Sequence, residues 1–364
     1  SPVPDELIPM TEIRRISVPI YGMVSWGDVF TMRQKLYLAT LALAIQNLKF
    51  DSETKLPLKE LLALVTNRCA DYSTSLCSWH LPGEKVNHTF GRQALGMFWD
   101  FTEVNPWADA SGNYSGALDW VARVVEVGAT IGNNTGQVQL ADAGKSPLPD
   151  SSCGVWFTDP PYYDNVPYAH LSDFFYVWLR RSAGVNLRDW FKTELTPKDA
   201  ECVVDRPHSL SNSTKTPEYY EAKMADAMRE GRRVLRDDGA GCVVFAHKTT
   251  EGWEALLSGM LRTGWKITAS WPIKTEMGAR LVARDLLRVL GGLGALAVSL
   301  PGLALDQPRR DVGGDGDFDE GWAVRRQGLA DRAFDGVGAG QAASGDAEGL
   351  GEADEVGVGE VHAD

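Results

Sequence analysis

The feature that most restricts this chain is the octapeptide Val155-Trp156-Phe157-Thr158-Asp159-Pro160-Pro161-Tyr162. Its first half has the β-branched and aromatic character of a buried strand. Its second half cannot continue one, because neither proline has an N–H to give a sheet ladder. The strand must therefore stop at Thr158 and present an acid, two prolines and an aromatic at its carboxyl end. In open α/β sheets that end is where ligands bind.

The flanking pattern supplies the rest of such a fold. Thr31 caps a helix through Leu48, with Leu36, Leu38, Leu41, Ala42 and Ile45 as its apolar positions. A second helix is expected from about Leu58 to Trp79, starting after Pro57. Residues 81–116 read as loops around a short helix near Arg92–Trp99, and Gly116–Val127 as a further helix. Strand candidates are Gln137–Ala141, ending at Asp142, and Gly154–Thr158. Pro167–Arg181 has helical spacing, and residues 184–217 form a polar insertion without a period. Glu218–Leu235 is an amphipathic helix stopped by Asp237-Asp238-Gly239. The strand Gly241–Ala246, the helix Thr250–Thr263 and the strand Trp265–Ile273 follow. Strands alternating with helices imply a parallel α/β sheet. The expected organisation is a mainly helical region over 1–130, a catalytic α/β half over 131–284, and a low-complexity tail over 285–364.

Composition matters chiefly in that tail. The chain has 364 residues and a net charge of −13, but residues 285–364 hold 16 acidic and 6 basic side chains against 33 and 30 in the rest. The near-neutral body is compatible with a basic cleft for nucleic acid. The tail has no lysine and carries 17 of the 37 glycines. It reads either as a natural disordered acidic tail or as translation in a shifted frame, since Gly, Ala, Val, Asp and Glu codons share a first base G. Five cysteines without CxxC spacing read as buried or idle thiols, with no metal site. No secretory leader is visible in residues 1–20, the chain lacks an initiator Met, and the apolar run Val289–Leu305 is broken by glycines and Pro301. The expectation is a cytoplasmic piece of a larger protein with no membrane span.

A carboxylate beside a backbone carbonyl accepts both hydrogens of an exocyclic amine and holds its lone pair toward an electrophile. An adjacent aromatic ring stacks on an extruded base. Asp159, the stiffened Pro160-Pro161 turn and Tyr162 offer that set. Tyr163, Asp164 and Asn165 are candidates for the substrate entrance. His247-Lys248 follows the Gly241–Ala246 strand, which puts it at the same sheet edge, with Lys248 a candidate phosphate contact. His170, Asp173, Phe174, Phe175, Tyr176 and Trp178 read as helix packing and core. Arg92-Gln93 and Glu103-Asn105 have no evident chemical role.

Asp-Pro-Pro-Tyr is the motif of methyltransferases that act on nucleobase amines. The run TDPPYYDNVPYAHLSDFFYVWLRR, with AHKTTEGWEALLSGMLRTGW, SWPIKTEMGARL, YGMVSWGDVFTMRQKL, FGRQAL and WDFTEVNP, resembles a family of large bacterial and archaeal proteins. These are described as adenine-specific DNA methylases, some with a Zn ribbon. The resemblance spans roughly residues 15–284. It implies a Rossmann-like methyltransferase sheet, S-adenosylmethionine as donor and the N6 amine of adenine in DNA as acceptor, with cytosine N4, RNA or an inactive nucleic-acid-binding remnant as alternatives. Carried over, Asp159 and the Pro160 carbonyl would bind the amine and Tyr162 would stack on the base. Asp142, in QLADAGKSPLP, would lie near the cofactor's adenine; read from its own residues, it is a turn-forming Asp before Gly144.

Three departures from the family stand out. The glycine-rich cofactor loop is missing, which implies a separate polypeptide carrying it or an incomplete fragment. Gly291-Gly292-Leu293-Gly294 matches only superficially. No zinc-binding cysteine cluster is present. The family's closing strand, which inserts between two others, is expected to be replaced by the glycine-rich tail, leaving sheet edges unpaired.

Overall fold

The computed structural model describes residues 1–49, 55–131, 136–164, 166–184, 187, 189–205, 215–247, 250–273 and 293–299. Ser1–Leu305 form one compact unit, and Asp306–Asp364 lie outside the described residues. The described fold is mixed α/β, with six α-helices and two small sheets.

The N-terminal helices form for local reasons. In α1 (Met32–Asn47) the Thr31 hydroxyl accepts the Gln34 N–H, and the Gln34 side chain accepts the Thr31 N–H. This reciprocal box satisfies two donors that would otherwise be orphaned at the helix start. Leu38, Ala42 and Ile45 face inward as expected, whereas Leu36 points outward. α2 (Lys55–Asp71) stops eight residues before the expected end. The Thr74 hydroxyl accepts the Leu76 N–H, and Ser75 donates its N–H to the Val29 carbonyl. Those bonds compete with helix continuation. β1 (Trp79–His80) and β2 (Lys85–Val86) make a small antiparallel ladder. The helix expected near Arg92–Trp99 is absent. Leu95 instead bridges to Ile16, giving its N–H to the Arg15 carbonyl and taking the Ser17 N–H, which holds this backbone extended. α3 (Tyr114–Thr130) is capped by Asn113.

The second sheet has the order β3 (Cys153–Thr158), β4 (Leu235–Phe245), β6 (Leu293–Ser299), β5 (Lys266–Ile273). β3 runs parallel to β4, while β6 is antiparallel to both of its neighbours. α4 (Tyr168–Ser182), α5 (Pro217–Val234) and α6 (Thr250–Arg262) lie at the expected positions. Between Cys153 and Val155 the β3–β4 register shifts, and Asp237-Asp238-Gly239 sits within this irregular part of β4.

Three expectations about the sheet change. Gln137–Ala141 is coil, with Val138 91% and Leu140 73% exposed. Its alternating pattern suits a strand, but no described strand offers it a ladder, and unpaired backbone groups then remain in water. β3 is not buried on both faces: Trp156 packs on Trp265 and α5, while Val155 and Phe157 are 62% and 65% exposed. The edge of β3 away from β4 has no neighbour among the described residues. Leu293–Ser299, inside the stretch expected to be a low-complexity tail, is strand β6, and the residues from 300 on lie outside the described residues. Strand β6 fills the gap between β4 and β5, so that their facing backbone groups are paired rather than orphaned.

The described residues form two large hydrophobic cores, of which the second packs against Trp156 of β3. The first joins Trp26, Phe30, Leu38 and Val65 to Phe174, Val177 and Trp178 of α4. The second joins Tyr220, Met224 and Met228 of α5 to Val243 and Phe245 of β4 and Leu256 and Met260 of α6. No helix among the described residues is long and apolar enough to cross a membrane.

Candidate active site

The Asp159–Asp164 loop leaves the carboxyl end of β3 beside the carboxyl end of β4, since Thr158 pairs with Val243. Asp159 is exposed and Pro160 is buried. Neither the Asp159 carboxylate nor the Pro160 carbonyl accepts a hydrogen bond from the described residues. The next carbonyl is used internally. Pro161 O accepts the Tyr220 hydroxyl at 2.7 Å and the Tyr163 N–H at 3.1 Å. The turn is therefore clamped at Pro161, one residue beyond two unengaged acceptors.

Tyr162 is half-buried, with its ring edge-to-face on Phe245 at 5.5 Å. Tyr163 has φ +52°, a left-handed conformation that costs a non-glycine residue about 1–3 kcal/mol unless its surroundings enforce it. They do: its ring packs edge-on against Tyr220 (5.1 Å) and His247 (5.5 Å), and its carbonyl accepts the Val204 N–H. Burial, together with the negative charge of Asp164, raises the Tyr163 phenol above its ordinary value. Asp164 lies 3.6 Å from His247 Nε2. His247 in turn is buried at the end of β4, where its carbonyl accepts the Trp253 indole N–H at 3.0 Å. His247 thus reaches the expected sheet edge. Asn165 and Lys248 lie outside the described residues.

The structure adds residues that the motif does not contain. Tyr168, at the start of α4, has its phenol raised by burial and by the Asp159 charge, against a hydrogen bond with the Tyr162 backbone. Tyr220 is fully buried, and desolvation holds its hydroxyl protonated, which suits a donor to Pro161. The Tyr220, Met224, Met228 stripe is visible as a helical period in the sequence, but the use of the hydroxyl is not. Val204 comes from the insertion read as featureless. A small cavity of about 50 Å³ beside the loop is lined by Glu12, Arg14, Asp164, Val166, Val203 and Asp205. It has room for solvent and not for a base. Burial first, then the Asp205 charge, raises the Glu12 carboxyl.

The other singled-out residues have structural contacts. Asp173 is buried against Lys198 Nζ at 2.8 Å, and Thr196 bonds the same carboxylate. His170 Nε2 meets the Thr11 hydroxyl at 2.9 Å. Phe174 and Trp178 are core. Glu103 pairs with Arg33 at 2.6 Å. Asp142 accepts the Gly144 N–H at 2.8 Å in a turn, with Lys223 Nζ 3.9 Å away on α5. Its contacts do not reach the Asp159 loop.

No protein-family model matches the chain, and no curated protein matches it.

Proposed function

We propose that the Asp159–Tyr162 loop binds an exocyclic nucleobase amine for methylation, with the N6 amine of adenine in DNA as the first candidate. The observation that carries this reading is the pair of unengaged acceptors on consecutive residues, Asp159 and Pro160, at the carboxyl end of β3. An –NH₂ group meets them with one hydrogen each, which turns its lone pair away from the loop. The amine is a poor nucleophile while that lone pair is conjugated into the ring, and these bonds favour a more pyramidal nitrogen. Tyr162 and Tyr168 flank the position, and the Tyr220 clamp fixes the carbonyl's direction, so positioning supplies much of the rate. S-adenosylmethionine, when bound, supplies the electrophilic methyl. The insertion of β6 antiparallel between β4 and β5 supports the same reading, because the methyltransferase sheet inserts its closing strand this way.

The edge of β3 that has no neighbour among the described residues, with the exposed Val155 and Phe157, leaves room for a donor-binding half supplied from outside the described residues, a separate polypeptide being one source. The test measures tritiated methyl transfer from S-adenosylmethionine by the full chain to DNA, to oligonucleotides with adenine or cytosine as the only amine target, and to RNA. Asp159→Ala is expected to lower transfer by at least roughly 10²–10³-fold, by analogy with removal of one preorganised hydrogen-bonding group, with an unchanged circular dichroism spectrum. Unchanged methylation by that variant sinks the assignment. An inactive wild-type chain that also fails to bind S-adenosylmethionine in a calorimeter would place the donor half elsewhere.

A further inference from the structure

Arg68 projects from α2 against two aromatic rings, its guanidinium carbon 5.7 Å from the Tyr72 centroid and 4.8 Å from that of Trp120. Ring faces attract the cation but leave its in-plane N–H donors unused. None of those donors has a protein acceptor, and no carboxylate lies within ion-pair distance, among the described residues. Stacked in this way, a guanidinium presents a rigid fork suited to two oxygens of one phosphate.

Arg68 lines a cleft of about 300 Å³ together with Lys85, Ser111, Gly112, Asn113 and Trp120. Lys85 likewise has no carboxylate partner among the described residues. The nearby Asp71 is spent inward, its carboxylate taking the Phe90 N–H at 3.1 Å and meeting His88 Nδ1 at 3.0 Å. The wall opposite is held in place. Gly112 has φ +86°, and a Cβ there would stand 2.6 Å from the Tyr72 ring, so the loop lies directly on that ring. Asn113 fixes the next residue, accepting the Gly116 N–H at 2.8 Å and donating to the Ala108 carbonyl at 2.7 Å.

Exposed indoles border the same region. Trp120 is 53% exposed, and Trp107, which packs on Tyr114 at the start of α3, is 72% exposed. Trp79 is half exposed and pairs across the small ladder with Val86, the neighbour of Lys85. Cations without counter-ions beside exposed ring faces are the groups that single-stranded nucleic acids require, a charge for the backbone and a platform for the bases.

We propose that this cleft binds the phosphodiester backbone of a single-stranded polynucleotide, with Arg68 and Lys85 on a phosphate and Trp120 against a neighbouring base. The assignment goes beyond the loop chemistry and stands on the cleft's own geometry. The test titrates the full chain into a fluorescein-labelled single-stranded oligodeoxynucleotide at several salt concentrations and reads anisotropy. Lys85→Ala, an exposed change, is expected to reduce the slope of log affinity against log salt by about 0.7. Arg68→Lys, which keeps the charge and loses the fork, and Trp120→Ala are each expected to weaken binding roughly tenfold. An oligothymidylate label, which carries no exocyclic amine for the Asp159 loop, is expected to bind the wild-type chain and to show the same losses in the cleft variants, so strand binding is read apart from methyl transfer. Four results would each overturn the assignment: no binding by the full chain; wild-type affinity and slope in both Lys85→Ala and Arg68→Lys; displacement of the label by adenosine monophosphate as effective as by the oligonucleotide; or tighter binding of a phosphopeptide at the same salt.

Discussion

In the core shared by α1, α2 and α4, Trp26 and Trp178 are wholly buried, and neither indole N–H has an acceptor among the described residues. In the core beneath the sheet three such groups are tied to a carbonyl: Trp265 to Met228, Trp253 to His247 and Tyr220 to Pro161. The first core is held by ring packing, with Trp26 edge-on to Phe174 at 6.2 Å and Phe30 edge-on to Trp178 at 5.4 Å. The second is held by packing plus polar hooks, and two of the hooks end on the loop or on His247 beside it. A change in the first core should register as stability alone. A change in the second should also move the loop.

The largest expected effect is Trp178→Ala. Emptying this site should destabilise the fold by about 3–5 kcal/mol, read by urea denaturation, while the activity per folded molecule stays near wild type. Loss of activity without loss of stability would break the comparison. Next comes acid. His170, on α4, has its imidazole lowered to about 4 from 6.5 by burial and then by Lys198 and Lys215. The folded state keeps it neutral while the unfolded chain binds the proton, so stability is present above pH 6.5 and falls as pH drops through that window toward 4. The loss should reach about 3 kcal/mol, and His170→Gln should flatten it; identical pH profiles would remove His170 as the cause. Tyr220→Phe should cost about 1–2 kcal/mol and also lower methyl transfer, because the loop loses its clamp. Equal activity in a stably folded Tyr220→Phe chain would mean that the hook does not position the loop. The smallest effect is the sharpest comparison. Trp265→Phe removes a hydrogen bond to the Met228 carbonyl and Trp178→Phe removes none, so the first should cost about 1 kcal/mol more, and equal melting temperatures would show that the two cores do not differ in this respect.

Much of the fold was legible because its signals are local. Thr31 with Gln34, Pro217 after Thr216, and Gly264 with φ +86° each punctuate a helix within a few residues of sequence. The loop was legible for the same reason, since Asp159 to Tyr162 are contiguous. What failed depends on neighbours that the local pattern does not name. Gln137–Ala141 alternates like a strand, but alternation specifies a face and not a partner. Leu293–Ser299, rich in Gly and Ala, lacks strand propensity, yet two facing edges supply the ladder that propensity alone would not. Tyr168, Tyr220 and Val204 reach the loop through contacts across the fold, and a tyrosine's hydroxyl target is not encoded beside it. The resemblance to methylases addressed the loop and said nothing of the Arg68 cleft.

The place of β6 also carries a consequence for how the chain is made. β5 touches the rest of its sheet only across β6, yet it leaves the ribosome about 20 residues earlier, at a rate of roughly 5–20 residues per second. For that interval β4 and β5 exist as two facing edges with nothing between them. The sheet is therefore closed from the middle, by the last strand to arrive. A ribosome that stalls or terminates in the window between Ile273 and Leu293 would release a chain whose loop is written in full but whose sheet has a slot in it, open to any extended peptide that reaches it first.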